Sequence, residues 1–431
     1  MIELKKYKLK DLCLKITDGS HFSPKAQDSG YPMFSVKDMG DYGFIYDDAK
    51  HISQEDFEKM KSSGCVPEKD DVLIAKDGSY LTRVFVCQES KEEAVLSSIA
   101  IFKCNKDLIE PYFLALLFQT PYVHNFAARS CVSGSALPRI ILKAFSELEL
   151  QVPPLEIQRK IIDQIKPIDC KIAINRKINA TLEKVAKKLY DYWFVQFDFP
   201  NAEGKPYKSS GGRMVYNKIL KRNIPEGWTV RCLGDTFEHN RGISYNTQTI
   251  TGEGIPMINL ASFNVDGTYK PEGLKSYNGE YSNEKILKPY DLVMCNTQQT
   301  AIDYSKDIIG KAFLVPDLTD GDIVSSHHVT TIIPYNNDYK AFYCYLFNTV
   351  YFHKYAASCS SGTNIMGLDF SGITRYMSEL PPEELLSKFS KFIIDIQRRK
   401  SIIIKENCKL ASLRGLLLPL LMNGQIKFSV Q

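Results

Sequence analysis

Apolar residues recur at spacings of mostly three and four over two long stretches of this chain. In the first they are Ile161, Ile165, Ile168, Ile172, Ile178, Leu182, Val185 and Leu189. In the second they are Phe389, Ile393, Ile396, Ile403, Leu410, Leu413 and Leu417. Both are helix patterns with a seam close to the 3.5-residue heptad period. A shift of 228 positions carries Ile161 to Phe389, Ile165 to Ile393, Leu182 to Leu410 and Leu189 to Leu417. Each stretch opens on a Pro-Pro pair, Pro153-Pro154 and Pro381-Pro382. Two seams of equal length predict helices that pack on each other, antiparallel if the halves are related by a two-fold. A helix from about Leu155 to Trp193 would be roughly 55–60 Å long if unbroken. Pro167 predicts a kink, because it removes a donor and clashes one turn back. Asn179 and Asn407 recur near the seam, where a polar residue can fix register.

The repeat reaches further back. Phe118 to Ala128 matches Phe347 to Ala357, and Ser130-Cys131-Val132-Ser133-Gly134 matches Ser358-Cys359-Ser360-Ser361-Gly362. Ser97-Ser98 is aligned with Ser325-Ser326, and Tyr31-Pro32-Met33 with Ile255-Pro256-Met257. Asp71–Ala75 and Asp291–Cys295 read as buried strands followed by polar loops, and 111–128 and 339–357 as aromatic-rich helix. Pro200 to Gly212 carries linker composition. The chain therefore reads as mixed α/β (α+β): globular domain 1–150, helical region 151–199, linker and second globular domain 200–378, and helical region 379–431. The two globular domains stand in tandem, separated and joined by two long antiparallel coiled-coil helices in a pseudo-two-fold arrangement.

Charge refines this picture. Lys and Arg number 19 against 22 Asp and Glu over 1–150, and 17 against 18 over 201–380. They number 9 against 6 over 151–200 and 9 against 4 over 381–431. The net surplus of +4 thus lies in the helices, and no globular domain shows the basic composition typical of a nucleic-acid binder. Eleven cysteines without a CxxC pair read as buried free thiols in a reducing cytoplasm. The N-terminus has no apolar run, and the longest apolar stretch, Gly415 to Met422, is far short of the roughly 20 residues of a bilayer span, so no membrane partner is expected.

Catalytic signatures are missing: the sequence holds no GxGxxG, GxxxxGK[ST], HExxH, GxSxG or [DN]PP[YF]. His327-His328 suggests metal only weakly, since adjacent strand residues point to opposite faces. His124 and His353 occupy matching repeat positions and read as packing or capping residues.

Leu189-Tyr190-Asp191-Tyr192-Trp193-Phe194-Val195-Gln196-Phe197-Asp198-Phe199, Ile224-Pro225-Glu226-Gly227-Trp228 with Leu233-Gly234-Asp235, and Leu413-Arg414-Gly415 through Asn423-Gly424 stand in an order that resembles the DNA-specificity (S) subunit of type I restriction-modification systems. The chain departs from that pattern at Glu383-Glu384-Leu385. The resemblance implies a non-catalytic subunit whose two target-recognition domains each read one half of a split, asymmetric sequence in double-stranded DNA. It implies helices that act as a spacer, suited to half-sites about 34–36 Å apart. It also implies two methyltransferase (modification) subunits and restriction subunits as partners, in a prokaryotic cytoplasm. No cofactor is expected on this chain itself; S-adenosylmethionine would belong to the methyltransferase, and ATP and Mg to the restriction subunit.

Base edges call for Arg, Lys, Asn, Gln, Ser and Thr on loops after strands. In the first domain the candidates are Ser20, His21 and Lys25; Lys76, Ser79, Tyr80 and Arg83; and Ser133, Ser135 and Arg139. In the second they are Arg241, Ser244, Tyr245 and Asn246; Asn296, Gln298 and Gln299; and Ser361, Thr363 and Asn364. Tyr192, Trp193, Phe194, Leu416 and Leu417 exceed what one two-helix seam can bury and are candidates for the partner interface. The rival readings are a fused nuclease or methyltransferase, which the missing motifs disfavour, and a coiled-coil scaffold with two adaptor domains.

Overall fold

The computed structural model describes residues 4–47, 49–77, 83–131, 139–299 and 306–426. The chain forms two compact units, one of residues 1–174 with 409–431 and the other of residues 175–408. The division falls inside both helices, so each unit owns a globular part and a piece of each helix.

Unit 1 is built on a four-stranded sheet in the order Cys13–Asp18, Ile99–Cys104, Val72–Ala75, Val84–Val86. A smaller sheet places Tyr31–Phe34 between Lys50–Ile52 and Ala94–Val95. Lys5–Lys8 pairs with Glu149–Val152. Unit 2 repeats this plan. Its main sheet runs Phe237–Arg241, Val329–Pro334, Leu292–Cys295, Ala312–Leu314, and Thr229–Cys232 pairs with Met377–Leu380. The smaller sheet carries Ile255–Ile258 between Lys275–Tyr277 and Val324–Ser325. Both central strands, expected from their apolar runs, are buried along their whole length. The aromatic-rich helices are each two short ones, Pro111–Phe118 and Pro121–Ser130 in unit 1, Tyr339–Asn348 and Val350–Ser358 in unit 2. The break falls where Pro121 or the Thr349 cap starts a new helix.

Hydrogen bonds correct one sequence alignment. Lys76 N–H donates to the Ser98 carbonyl, and Asn296 N–H to that of His328. Gly19 N–H donates to Ile99 and Gly242 N–H to Val329. Ser97-Ser98 is therefore equivalent to His327-His328, two positions beyond the Ser325-Ser326 pair that residue identity suggests.

The first helix, Leu155–Tyr190, continues across Pro167, which lies on the exposed face, so the proline does not end it. It closes in a π-helical turn over Asp191–Val195. The second helix is Glu383–Met422. In unit 1, Asp169 pairs with Arg414, and Leu421 joins the core that holds Ile161 and Ile165. In unit 2, Asn175 meets Asn407, Glu183 pairs with Lys400, and Phe194 packs on Phe389. The two helices are antiparallel in each unit. The seam follows Ile168, Ile172, Asn175, Leu182, Ala186 and Tyr190, while Ile178 (42% exposed), Val185 (45%) and Leu413 (44%) lie outside it. The gap of six between Ile172 and Ile178 breaks the three-four rhythm, and a polar residue, Asn175, fills the missing place. Its amide donates to Glu406 at 2.7 Å and to Asn407 at 2.9 Å, while Asn179 Oδ1 has no partner among the described residues. Asn175→Ala is expected to destabilise unit 2 by about 1–3 kcal/mol, read by chemical denaturation, because Asn407 loses its buried donor.

The stretch from Pro200 to Gly212 packs instead of linking loosely. Phe199 stacks on Tyr207 and on Trp228, and Asp198 accepts from the Ser209 N–H at 2.7 Å and hydroxyl at 2.6 Å. No helix of the described residues is long and apolar enough to cross a membrane.

Candidate nucleic-acid interface

In each unit three loops meet at one end of the main sheet. Gly19 and Gly242 set the first crossing. A Cβ on Gly19 would stand 2.1 Å from the Val95 carbonyl oxygen, and one on Gly242 2.2 Å from that of Ser326. Only glycine permits that approach, and it fixes the residue just before it, Asp18 or Arg241, at the mouth of the site.

In unit 2 the loops border a half-open cavity of about 430 Å³, lined by His239, Arg241, Asn296, Thr297, Thr330 and Ser361, with Gly367 to Phe370 along its side. Thr297–Gln299 pairs with Ile365–Leu368, which pairs in turn with Ser360–Ser361, so three candidate clusters come together. Ser361, Thr363, Asn364 and Ser244 are exposed. Asn246 Oδ1 caps a turn by accepting from the Gln248 and Thr249 N–H groups, and Tyr245 packs 5.6 Å from the His327 ring.

Two candidates there prove internal. Asn296 is 4% exposed, its amide donating to Thr330 Oγ1 at 2.7 Å and to the His327 carbonyl at 3.2 Å. Gln298 is 6% exposed and its Oε1 accepts from the Ile308 N–H at 2.7 Å. It braces the loop, so it is not an outward reader; the side chain of Gln299 lies outside the described residues. Gln298→Ala is expected to destabilise unit 2 by about 1–3 kcal/mol in denaturant titration, the cost of stranding that N–H.

His327 and His328 are not the strand pair that their sequence suggests. They occupy a turn, with ring centroids 3.8 Å apart, and His328 Nδ1 lies 2.7 Å from Thr297 Oγ1. No metal-binding cluster is found among the described residues. Burial, then His327, Arg241 and Lys275, push His328 down to about 4; burial and Arg241 lower His327. A histidine whose folded value is depressed stabilises the fold above its unfolded value of about 6.5 and loses that contribution as pH falls toward 4. The melting temperature of the wild type is expected to drop between pH 7 and pH 4.5 by more than that of His328→Ser, the residue at the equivalent place in unit 1.

Unit 1 fills the same positions differently. Lys76 is 3% exposed and ion-paired with Asp18, so it is a neutralised internal residue and not a free contact. Arg139 pairs with Asp77 at 2.6 Å across an isolated β-bridge, and Arg83 pairs with Asp41. Ser20 closes a local turn on Phe22, while His21 and Lys25 are exposed. Ser79, Tyr80, Ser133 and Ser135 lie outside the described residues.

The helix candidates divide. Phe194 is 3% exposed inside the core of unit 2, between Phe342, Phe389 and Trp228, and cannot face a partner. Trp193 is half-buried against Phe389, and Leu417 packs on the core of unit 1. Tyr192 (38%) and Leu416 (69%) remain exposed. His353 is buried, its Nδ1 lying 3.0 Å from the Ile309 carbonyl, in keeping with a packing role.

Residues 1–184 match the family described as Type I restriction modification DNA specificity domain. The chain is 24% identical over 430 residues to the MjaIX type I restriction enzyme specificity subunit of Methanocaldococcus jannaschii, covering 97% of this chain and 93% of that one. It is 25% identical over 416 residues to the HindI specificity subunit of Haemophilus influenzae, covering 83% and 87%. Among solved structures, the S subunit of a type I restriction-modification system from M. genitalium shares the fold, with a TM-score of 0.58 at 13% identity over 97% of this chain and 96% of that one.

Proposed function

We propose, from the premise that this chain belongs to the family of type I restriction-modification specificity subunits, that it reads a bipartite, asymmetric DNA target, one half-site per unit. It recruits two methyltransferase subunits and, through them, restriction subunits, and carries out no chemistry itself. One observation supports this reading above the others: the two units share a plan but differ in side chains at equivalent places. Asp18 stands in unit 1 where the exposed Arg241 stands in unit 2, and Ser97-Ser98 where His327-His328 stand. Readers with different donor and acceptor patterns select different bases, so the two halves of the target differ.

Selection from randomised duplexes by the full chain with its methyltransferase tests this. Two separated blocks of unlike sequence are expected; a palindrome would contradict it. The chain incubated alone with DNA and S-adenosylmethionine should show no turnover, and turnover would make it an enzyme in its own right. Leu416→Asp is expected to lower methyltransferase recruitment at least tenfold with an unchanged melting temperature, because Leu416 is exposed and unpacked; normal co-purification would remove it from the interface.

A further inference from the structure

At the mouth of the unit 2 cavity stands a guanidinium with no charge partner among the described residues. Arg241 is exposed and its Nε donates to the His327 carbonyl at 2.8 Å. Among the described residues no carboxylate pairs with it. The one acid on the same cavity among the described residues, Asp369, is engaged by Ser371, Oδ1 accepting from the N–H at 2.9 Å and Oδ2 from the hydroxyl at 2.8 Å. The equivalent residue of unit 1 is Asp18, whose carboxylate neutralises the buried Lys76. In unit 2 that internal pair is replaced by a cation facing outward over a neutral amide.

With Nε held, the terminal nitrogens of Arg241 form a planar fork of N–H donors aimed by a fixed stem. A fork pairs with two adjacent acceptors. In the major groove of B-DNA only guanine offers two, N7 and O6, on one base edge. A phosphate also offers two oxygens. The base is favoured because Arg241 shares its cavity with the exposed Ser361, a short hydroxyl side chain suited to base edges. A separate cation, Lys275, lies over the Tyr245 ring at 5.1 Å; a lysine is a point charge, suited to a phosphate.

We propose that Arg241 is the guanine-reading residue of unit 2, its terminal nitrogens donating to N7 and O6 of one guanine while Lys275 holds a neighbouring phosphate. This rests on the DNA-reading function proposed above.

The test measures binding of the full chain, with its methyltransferase, to its selected target duplex. Each guanine of the unit 2 half-site is replaced in turn by 7-deazaguanine, which lacks the N7 acceptor. One replacement is expected to weaken the wild type, and that same replacement should not weaken Arg241→Ala or Arg241→Lys further. Arg241→Ala should lose about 5- to 150-fold on the unmodified duplex and cease to prefer guanine over adenine at that position. Arg241→Lys keeps the charge without the fork and should lose the same preference. Undiminished reading of the unit 1 half-site by both variants shows that they are folded. A half-site without guanine, or no 7-deazaguanine effect that depends on Arg241, overturns the proposal. So does a loss equal on all sequences with a salt slope reduced by about one, which would make Arg241 a phosphate contact. A wild type with no sequence preference would overturn the DNA-reading function itself, whereas preserved preference in Arg241→Ala would overturn only this assignment.

Discussion

Replacing Asp169 with alanine is expected to destabilise unit 1 by about 3–5 kcal/mol, because it strips a mostly buried cation of its partner. Asp169 is 3% exposed. Its carboxylate accepts from Arg414 Nε at 2.6 Å and Nη2 at 3.2 Å, from the Tyr112 hydroxyl at 2.6 Å and from that of Tyr42 at 3.3 Å. Burial and then the Asp169 charge raise the Tyr112 hydroxyl well above its usual value, so it stays a donor throughout the accessible pH range. Arg414 also donates to Gln119 at 2.6 Å, and its side chain is only 20% exposed. Removing the acid leaves that guanidinium uncompensated and two hydroxyls without their acceptor. Asp169→Asn preserves shape and should fall between alanine and wild type in urea titration. A loss below about 1 kcal/mol for Asp169→Ala would mean that the cluster is solvated and does not join the helices.

In unit 2 the helices are joined by aromatic packing as well as by polar pairs. Phe389 is fully buried, with Phe194 at 4.8 Å, Trp193 at 5.9 Å, Tyr190 at 6.1 Å and Tyr345 at 6.2 Å between ring centroids. Phe389→Ala is expected to cost about 3–5 kcal/mol, the usual range for deleting a buried phenylalanine from a rigid setting. Phe389→Leu, which retains most of the volume, should cost less than half as much. If the two variants melted together, the site would be collapsing around the deletion and the packing would be loose. The same geometry makes Trp193→Asp a poor probe of partner binding, since it places a charge against Phe389 and lowers stability as well.

Much of this fold can be read along the chain. The Pro-Pro pairs, the repeated seams and the apolar runs at Val72–Ala75 and Leu292–Cys295 each put an intrinsic preference where the structure needs it. The seam fails to show at Asn175, because a buried asparagine satisfied by Glu406 and Asn407 looks like any polar surface position. Ile178 and Val185 mislead for the converse reason: single exposed apolar residues are common on real surfaces. Of the candidate site, the loops were legible and the side chains were not. Lys76 and Gln298 carry the chemistry of DNA contacts but are consumed internally by Asp18 and by the Ile308 N–H. Which polar residue turns inward depends on partners far away in sequence. Arg241 and His327 sit 86 positions apart, and no local pattern links them.

The most direct test of the reading of one half-site per unit is binding of the full chain, with its methyltransferase, to four duplexes: the selected target, the target with either half scrambled, and the target with both scrambled. Wild type and Arg241→Ala are measured side by side. Independent readers predict that scrambling either half costs affinity alone, and that Arg241→Ala changes the preference for one half while leaving discrimination at the other within about 0.5 kcal/mol. Loss of discrimination at both halves from that one substitution in unit 2, or a target whose two halves are copies of each other, would contradict it.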